Sequence, residues 1–539
     1  MPSAHEPPYM SEITRHIEKI AMRLLESRIF WAFLTFSTFV ANAIWCARNR
    51  LAGDVSFYLY AIQRIRDGAV MYRDFYDMNL PIVYMLHLPL AWFNQWFGLR
   101  IDLLLYSAIW TVVLGMLLYV WHMPRASALM RGFLVFCTAF ASLSLNRFQT
   151  GQRDPLCAFL FVGLVLAVYE RMQQPEGRST ALSWVGVLAA SIGMAMKPHF
   201  LLPWAVFIAA LAWTCGLKAA LRMKETWLPI LVSVVSWAVT LAAFPLFLSV
   251  VAMASRYYGV VLVSPYEFSP LIVPLTPIVI ALLRKPQPGG GRPLSWFAGL
   301  AGLAFAIEAV TQMKGFPYHQ TPCMFWAMMT TGLLLIEWFE RRATQPRLGL
   351  WIPACVTIAS SLFLVWFSFW TAVMAPPKEL VRTDLDDFVV QHARGKTVLN
   401  LSTDVRTSFP LVLEAGAFNP LPFTQLWAMG GLYREQVKQA EGAPEPVQAR
   451  YHARAEMSAD ERKWFDDVID VIVTKHPAVI FVQTSAWKWG LDNLKFDFVD
   501  YFSTDERFRQ AMRSYHEGPA TTTRKVLVFD GIDVARRGP

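Results

Sequence analysis

Apolar residues in this chain recur in blocks close to the roughly 20 residues that a helix needs to cross a bilayer. The blocks fall at 29–47, 101–122, 132–146, 155–169, 181–196, 200–216, 226–253, 268–283, 294–311, 322–338 and 349–374. Hydrocarbon offers the backbone no water, so such segments must pair their own N–H and C=O groups as helices. Composition agrees: 55% of residues are hydrophobic and 17% charged, where a soluble domain is about a quarter charged. The sequence therefore specifies a polytopic α-helical membrane protein of about 11 transmembrane helices. Its net charge of +9 belongs to basic loops that fix topology, and no nucleic-acid partner is expected. All six cysteines lie in or beside apolar blocks, which implies no disulfide framework. The polar stretch over residues 1–28 does not read as a cleavable signal sequence.

In "SEITRHIEKIAMRLLESR" (11–28), Ile13, Ile17, Ile20, Leu24 and Leu25 recur at helical spacing among charges. That pattern predicts an amphipathic helix on the membrane surface, in contact with membrane lipids. Segment 81–99, "PIVYMLHLPLAWFNQWFGL", is apolar enough to span yet holds His87, Pro89, Asn94 and Gln95. Loop charges decide its place. With 81–99 on the surface, the short loops on the N-terminal side hold thirteen Lys and Arg. The opposite short loops hold five: Arg147, Arg153, Lys197, Arg256 and Lys314. The positive-inside rule then puts the N-terminus in the cytoplasm, and residues 48–100 and everything after 375 outside.

Beyond residue 375 charges become dense and apolar runs short. "TVLNLS" (397–402), "AVIFVQTS" (478–485) and "KVLVFDG" (525–531) read as strands. Residues 380–393, 458–475 and 504–515 read as helices, the second capped by Ser458. The expected organisation is a cytoplasmic amphipathic helix over 1–28 and a membrane module over 29–375 whose first outer loop, 48–100, carries surface helices. A periplasmic α/β domain follows over 376–539.

Ionisable and aromatic side chains collect in the outer loops. "GDVSFYLYAIQRIRDGAVMYRDFYD" (53–77) holds Asp54, Asp74 and Asp77, and "NRFQTGQRDP" (146–155) holds Arg153 and Asp154. "MKPHF" (196–200) brings Lys197, "SRYYGVVLVSPYEF" (255–268) Tyr257 and Tyr258, and "QMKGFPYHQTP" (312–322) Lys314, Tyr318 and His319. This mixture suits a substrate with a lipid tail and an anionic head. Fixed cations hold phosphate oxygens, and an aspartate can take the proton of an attacking hydroxyl. Plain structural readings stand beside these. Asp54 follows a glycine at a helix start and fits an N-cap; Asp154 precedes Pro155 in the usual cap-then-proline order. Arg153 and Lys197 fit interfacial anchors, Tyr257 and Tyr258 an aromatic belt, and His87 polar surface. Glu308, inside an apolar block, is a functional candidate because carboxylates within membranes are costly.

The run "GDVSFYLYAIQRIRDGAVMYRDFYDMNLPIVYML" resembles the first outer loop of the GT-C superfamily of integral-membrane glycosyltransferases. Lipid A aminoarabinose transferases and protein O-mannosyltransferases are among its members. "GQRDP" is similar to that family's second acidic site and "KGFPYHQTP" to its basic-aromatic loop, so the resemblance runs over roughly 30–340. It implies a bacterial inner-membrane enzyme that moves a sugar, with inversion, from a polyprenyl-phosphate donor to an extracytoplasmic acceptor, whether envelope glycan, lipid or protein. It implies Asp54, with Asp154, as the catalytic carboxylates, and Lys314, His319, Tyr318, Arg153 and Lys197 as donor-phosphate contacts. Asp74, Asp77 and Tyr258 fall to the acceptor side. One departure is that the family's Lys-Pro-Pro is here Asn79-Leu80-Pro81, so that lysine's phosphate contact is missing or supplied elsewhere. The chemistry requires no cofactor; a divalent cation shared by Asp54 and Asp154, as in some relatives, stays open, though no ligand spacing demands it. Two alternatives remain. A transporter or flippase of lipid-linked anions would place its charges at the midplane between repeats. An O-antigen polymerase or ligase would not call for the 53–81 pattern.

Overall fold

The computed structural model describes residues 8–123, 126–145, 147–173, 180–259, 261–285, 291–343, 351–374 and 382–532. Arg125, Arg178 and Arg347, counted above among the loop cations, lie outside them. The chain divides into two compact units. The first comprises Met1–Asn49, Leu105–Ser236 and Val263–Lys378; the second comprises Arg50–Leu104, Trp237–Leu262 and Glu379–Pro539.

The first unit is helical. In α1 (Pro8–Glu26) Ile13, Ile17, Ile20 and Leu24 are exposed while Ala21 and Leu25 are buried, leaving the apolar stripe that an interfacial helix needs. Ser27 then caps α2 (Arg28–Arg48), accepting from the Phe30 amide. Among the described residues ten helices are long and apolar enough to cross a membrane, and the shorter apolar helix Ala181–Ala195 accounts for the eleventh block. Two short blocks are extended: 155–169 sits within the helix Arg153–Gln173, and 132–145 within Ala128–Leu145. Block 226–253 is not one helix. It breaks between Lys224–Ala243 and Phe247–Tyr257, because Pro245 has no amide proton and pushes Phe244 out of the α region.

Small residues let these helices touch. A Cβ placed on Gly163 would stand 2.3 Å from the Gly186 carbonyl oxygen and 2.7 Å from Gly186 Cα, so two backbones meet where lipid supplies no hydrophobic drive of its own. Around that crossing Phe161 meets Phe207, Phe305 and Trp326 edge-on at 5.8, 5.3 and 6.2 Å.

In the second unit, α3 (Gly53–Arg66) and α4 (Pro81–Phe97) follow the first membrane-length helix. Leu80-Pro81 starts α4 with proline at its first position, and Gly98, at φ 64°, ends it. Among the described residues α4 is not one of the helices fit to span. Its exposed Trp92, Phe93, Trp96 and Phe97 suit an interface. The strands are β1 (Val398–Leu401), β2 (Val447–Gln448), β3 (Val479–Gln483), β4 (Leu494–Lys495), β5 (Tyr515–Ala520) and β6 (Arg524–Phe529). They form a four-stranded sheet, β1-β3-β6-β5, with β1 and β3 parallel and the rest antiparallel, and a small parallel pair β2-β4. The helix Ala459–Lys475, capped by Ser458, lies on the crossover from β1 to β3 and buries Trp464, Phe465, Val468, Ile469 and Ile472. The helix expected over 504–515 is only Glu506–Met512; Tyr515 already belongs to β5, whose mostly exposed residues carry no apolar alternation to announce it.

Gly163→Ala forces a methyl into the Gly186 backbone and should cost about 1–3 kcal/mol. Gly115→Ala, where nothing lies within 4 Å, should leave stability unchanged or slightly raised. Thermal melts of the two purified variants check this.

Candidate functional site

Asp54 stands in the first turn of α3, half-buried. The cap position belongs to Ala52, which makes no side-chain cap bond, so the N-cap reading of Asp54 does not hold. A carboxylate there stands at the positive end of the helix dipole.

The segment that carries Asp54 is gripped from the far end of the sequence. Arg50 forks onto Glu414, Nε and Nη2 each 2.7 Å from a carboxylate oxygen, and its Nη1 lies 2.9 Å from Asp386. Asp386, its side chain 1% exposed, also pairs with Arg524, which donates to the Thr407 carbonyl at 3.2 Å. Along α3, Phe57 and Tyr60 meet Phe409 edge-on at 5.9 and 5.5 Å, and the Tyr60 hydroxyl accepts from the Asn419 amide at 3.1 Å. Arg50, Asp386, Glu414 and Arg524 were not singled out from the sequence; they are spread over 475 positions and only the fold brings them together.

Asp74 and Asp77 are engaged in the turn between α3 and α4. Asp77 accepts from the Tyr84 hydroxyl and from Asn79 Nδ2 at 2.6 Å. Asp74 accepts from the Val70 amide at 2.7 Å and pairs with Arg73 at 2.8 Å; the Arg73 hydrogen bond, foremost, holds its carboxyl down at about 2. Tyr258 stacks on Trp489 at 4.7 Å and meets Trp427 at 6.1 Å.

The remaining candidates gather in the first unit. Asp154, fully buried at the start of Arg153–Gln173, accepts from Lys197 Nζ at 3.1 and 3.4 Å. The same ammonium lies 2.8 Å from Gln312 Oε1 and 3.4 Å from His319 Nε2. Gln312 Nε2 in turn donates to Glu308, a fully buried carboxylate. The chain Asp154–Lys197–Gln312–Glu308, with His319 beside it, is thus one connected polar thread. Arg153 is buried next to it in sequence. Lys314 sits between Met313 at φ 50° and Gly315 at φ 64°; two left-handed residues fold the short loop tightly, and a Cβ on Gly315 would come 2.9 Å from Val263 Cγ2. Burial pulls the Lys314 ammonium down to about 8. Phe316 stacks on Tyr318 at 5.4 Å, and Tyr318 meets His319 edge-on at 4.6 Å.

A divalent cation does not fit Asp154. Both its oxygens face the Lys197 ammonium, and among the described residues no three His, Cys, Asp or Glu side chains group as metal ligands.

No protein-family model matches the sequence, and no curated protein matches it significantly. Solved structures do match. ArnT from Cupriavidus metallidurans in the apo state superposes with a TM-score of 0.55 at 11% identity, over 94% of this chain and 99% of that one. The same protein bound to undecaprenyl phosphate gives a TM-score of 0.48 at 12% identity, over 94% and 99%. The chain therefore has the fold of ArnT.

Removing one partner of the buried pair strands the other. Lys197→Met should cost about 3–5 kcal/mol, and Lys197→Met with Asp154→Leu should recover much of that loss. A double-mutant cycle on thermal or denaturant unfolding reads the coupling.

Proposed function

We propose that this protein is a membrane glycosyltransferase that moves a sugar, with inversion, from a polyprenyl-phosphate donor to an extracytoplasmic acceptor. The observation that carries the reading is Asp54. It is a half-buried carboxylate inside the first turn of α3, it is not the helix cap, and the ionic clamp at Arg50 holds the backbone beside it. The ArnT-like fold supports the same class.

In this mechanism the acceptor hydroxyl attacks the anomeric carbon while Asp54 takes its proton. The bond from that carbon to the phosphate oxygen breaks, and the polyprenyl phosphate leaves with the bonding pair. A phosphate is a weak base and needs no general acid; cations that neutralise it serve where a glycosidase uses its second carboxyl. Lys314, with Tyr318 and His319 beside it, is assigned to the anionic head of the donor. Asp154 is assigned to hold Lys197 instead of acting as a base, since its oxygens already face that ammonium. Orientation follows from the loop charges: a cytoplasmic N-terminus, and residues 382–532 in the periplasm of a bacterial cell.

Asp54→Asn keeps the side-chain shape but cannot accept a proton. Transfer should fall about 10²–10⁴-fold with donor binding intact; transfer at the wild-type rate would remove Asp54 from the role of base. Lys314→Ala should raise the donor KM more than it lowers kcat, because its partner is the same in ground and transition states. A lysine is charged below its pKa, so donor affinity should be full below pH 8 and decline as pH rises through about 8. Lys314→Arg should abolish that decline, and KM measured against pH in both proteins checks it.

A further inference from the structure

Within the second unit, the turn Val405–Thr407 that follows β1 rests on the residue next to the proposed base. A Cβ on Gly53 would stand 3.0 Å from Arg406 Cγ, 3.3 Å from Arg406 Cα and 3.4 Å from Val405 Cγ1. A side chain there would push its neighbours by a few tenths of an ångström, and the close approach brings one arginine against Gly53-Asp54. Consecutive Cα atoms are about 3.8 Å apart, which places Arg406 Cα within about 9 Å of Asp54 Cα.

The turn is held in place on several sides. Asp404 accepts from the Arg406 amide at 2.8 Å, and from the guanidinium at 3.0–3.1 Å on Nε and 2.8 Å on Nη2. Thr407 is fixed by Arg524 on its carbonyl and by Ser402 on its hydroxyl, at 3.2 and 2.8 Å. Ser402 in turn donates to Gln483 of β3 at 2.8 Å. The turn thus sits at the carboxyl ends of the two parallel strands, the edge at which open α/β sheets present ligand loops. With its backbone fixed, the Arg406 side chain is still 55% exposed.

We infer that Arg406 binds the phosphate of the donor beside Asp54, an assignment that rests on the glycosyl transfer proposed above. In an in-line displacement the attacking oxygen lies about 3 Å from the base, and the anomeric carbon about 3–3.5 Å beyond it. The leaving phosphate begins just past that carbon, within reach of a long side chain rooted where Arg406 is. A guanidinium keeps its charge at every working pH and carries five N–H donors, more than Asp404 engages. Through Arg406 the region after residue 382 contributes directly to donor binding.

The test uses the full-length protein in detergent, with a polyprenyl monophosphate and the unphosphorylated polyprenol of equal length as probes. Arg406→Gln is the main variant, because it keeps the Cγ that packs on Gly53; Arg406→Lys keeps the charge without the fork. Arg406→Gln should bind the monophosphate roughly ten- to a hundredfold more weakly and the polyprenol unchanged, with partial recovery in Arg406→Lys. Wild-type protein that prefers the monophosphate, with Arg406→Gln binding it equally well, overturns this assignment and leaves the proposed reaction standing. Wild-type protein that binds both lipids alike overturns the assignment and the donor class together. A thermal melt matching wild type shows that each variant is folded.

Discussion

A bilayer interior gives an unpaired polar group nothing to bond, and most of the first unit follows from that constraint. Backbone groups are paired by forming helices. Buried hydroxyls turn back onto their own helix: Thr38 donates to the Leu34 carbonyl at 2.9 Å, Ser191 to Val187 at 2.7 Å and Thr330 to Trp326 at 2.7 Å. Helices approach where glycine leaves the backbone bare, as at Gly163 and Gly186. Charges that cannot be avoided are threaded together, from Asp154 through Lys197 and Gln312 to Glu308.

In the second unit the organising element is ionic. Arg50 and Arg524 share Asp386, and Arg50 also holds Glu414. With two cations and two carboxylates, the charges compensate one another, and each fork fixes a direction as well as a distance. Reactivity is sensitive to displacements of an ångström, so a base on α3 gains from a backbone that is pinned at Arg50 and packed along Phe57 and Tyr60.

Much of this was legible in the residues. Apolar block length gave the helices, and Ser458 and Pro81 marked helix starts that the structure keeps. Pro245 was equally visible, but the hydropathy on both sides masked the break it makes. The two parallel strands β1 and β3 are buried at every position and are mostly apolar, with only Asn400 and Gln483 as exceptions, whereas β5 has no such run and was invisible. Among the candidate site residues, Lys197 and His319 were expected at the donor phosphate and Asp154 as a catalytic carboxylate, and the structure brings the three into one thread. The Arg50 clamp could not be read, because local pattern holds no information on which distant carboxylate an arginine will meet. Asp74 and Asp77, expected on the acceptor side, also serve the turn between α3 and α4.

The Asp154–Lys197 pair also bears on how the protein is made. An ionised side chain packed among membrane helices is costly until it meets a counter-charge. Asp154 opens the helix Arg153–Gln173 and Lys197 follows the 15-residue helix Ala181–Ala195, so their contact ties the ends of two neighbouring helices together. The helix that carries the carboxylate comes first in the chain, so the counter-charge is already made when the lysine is added.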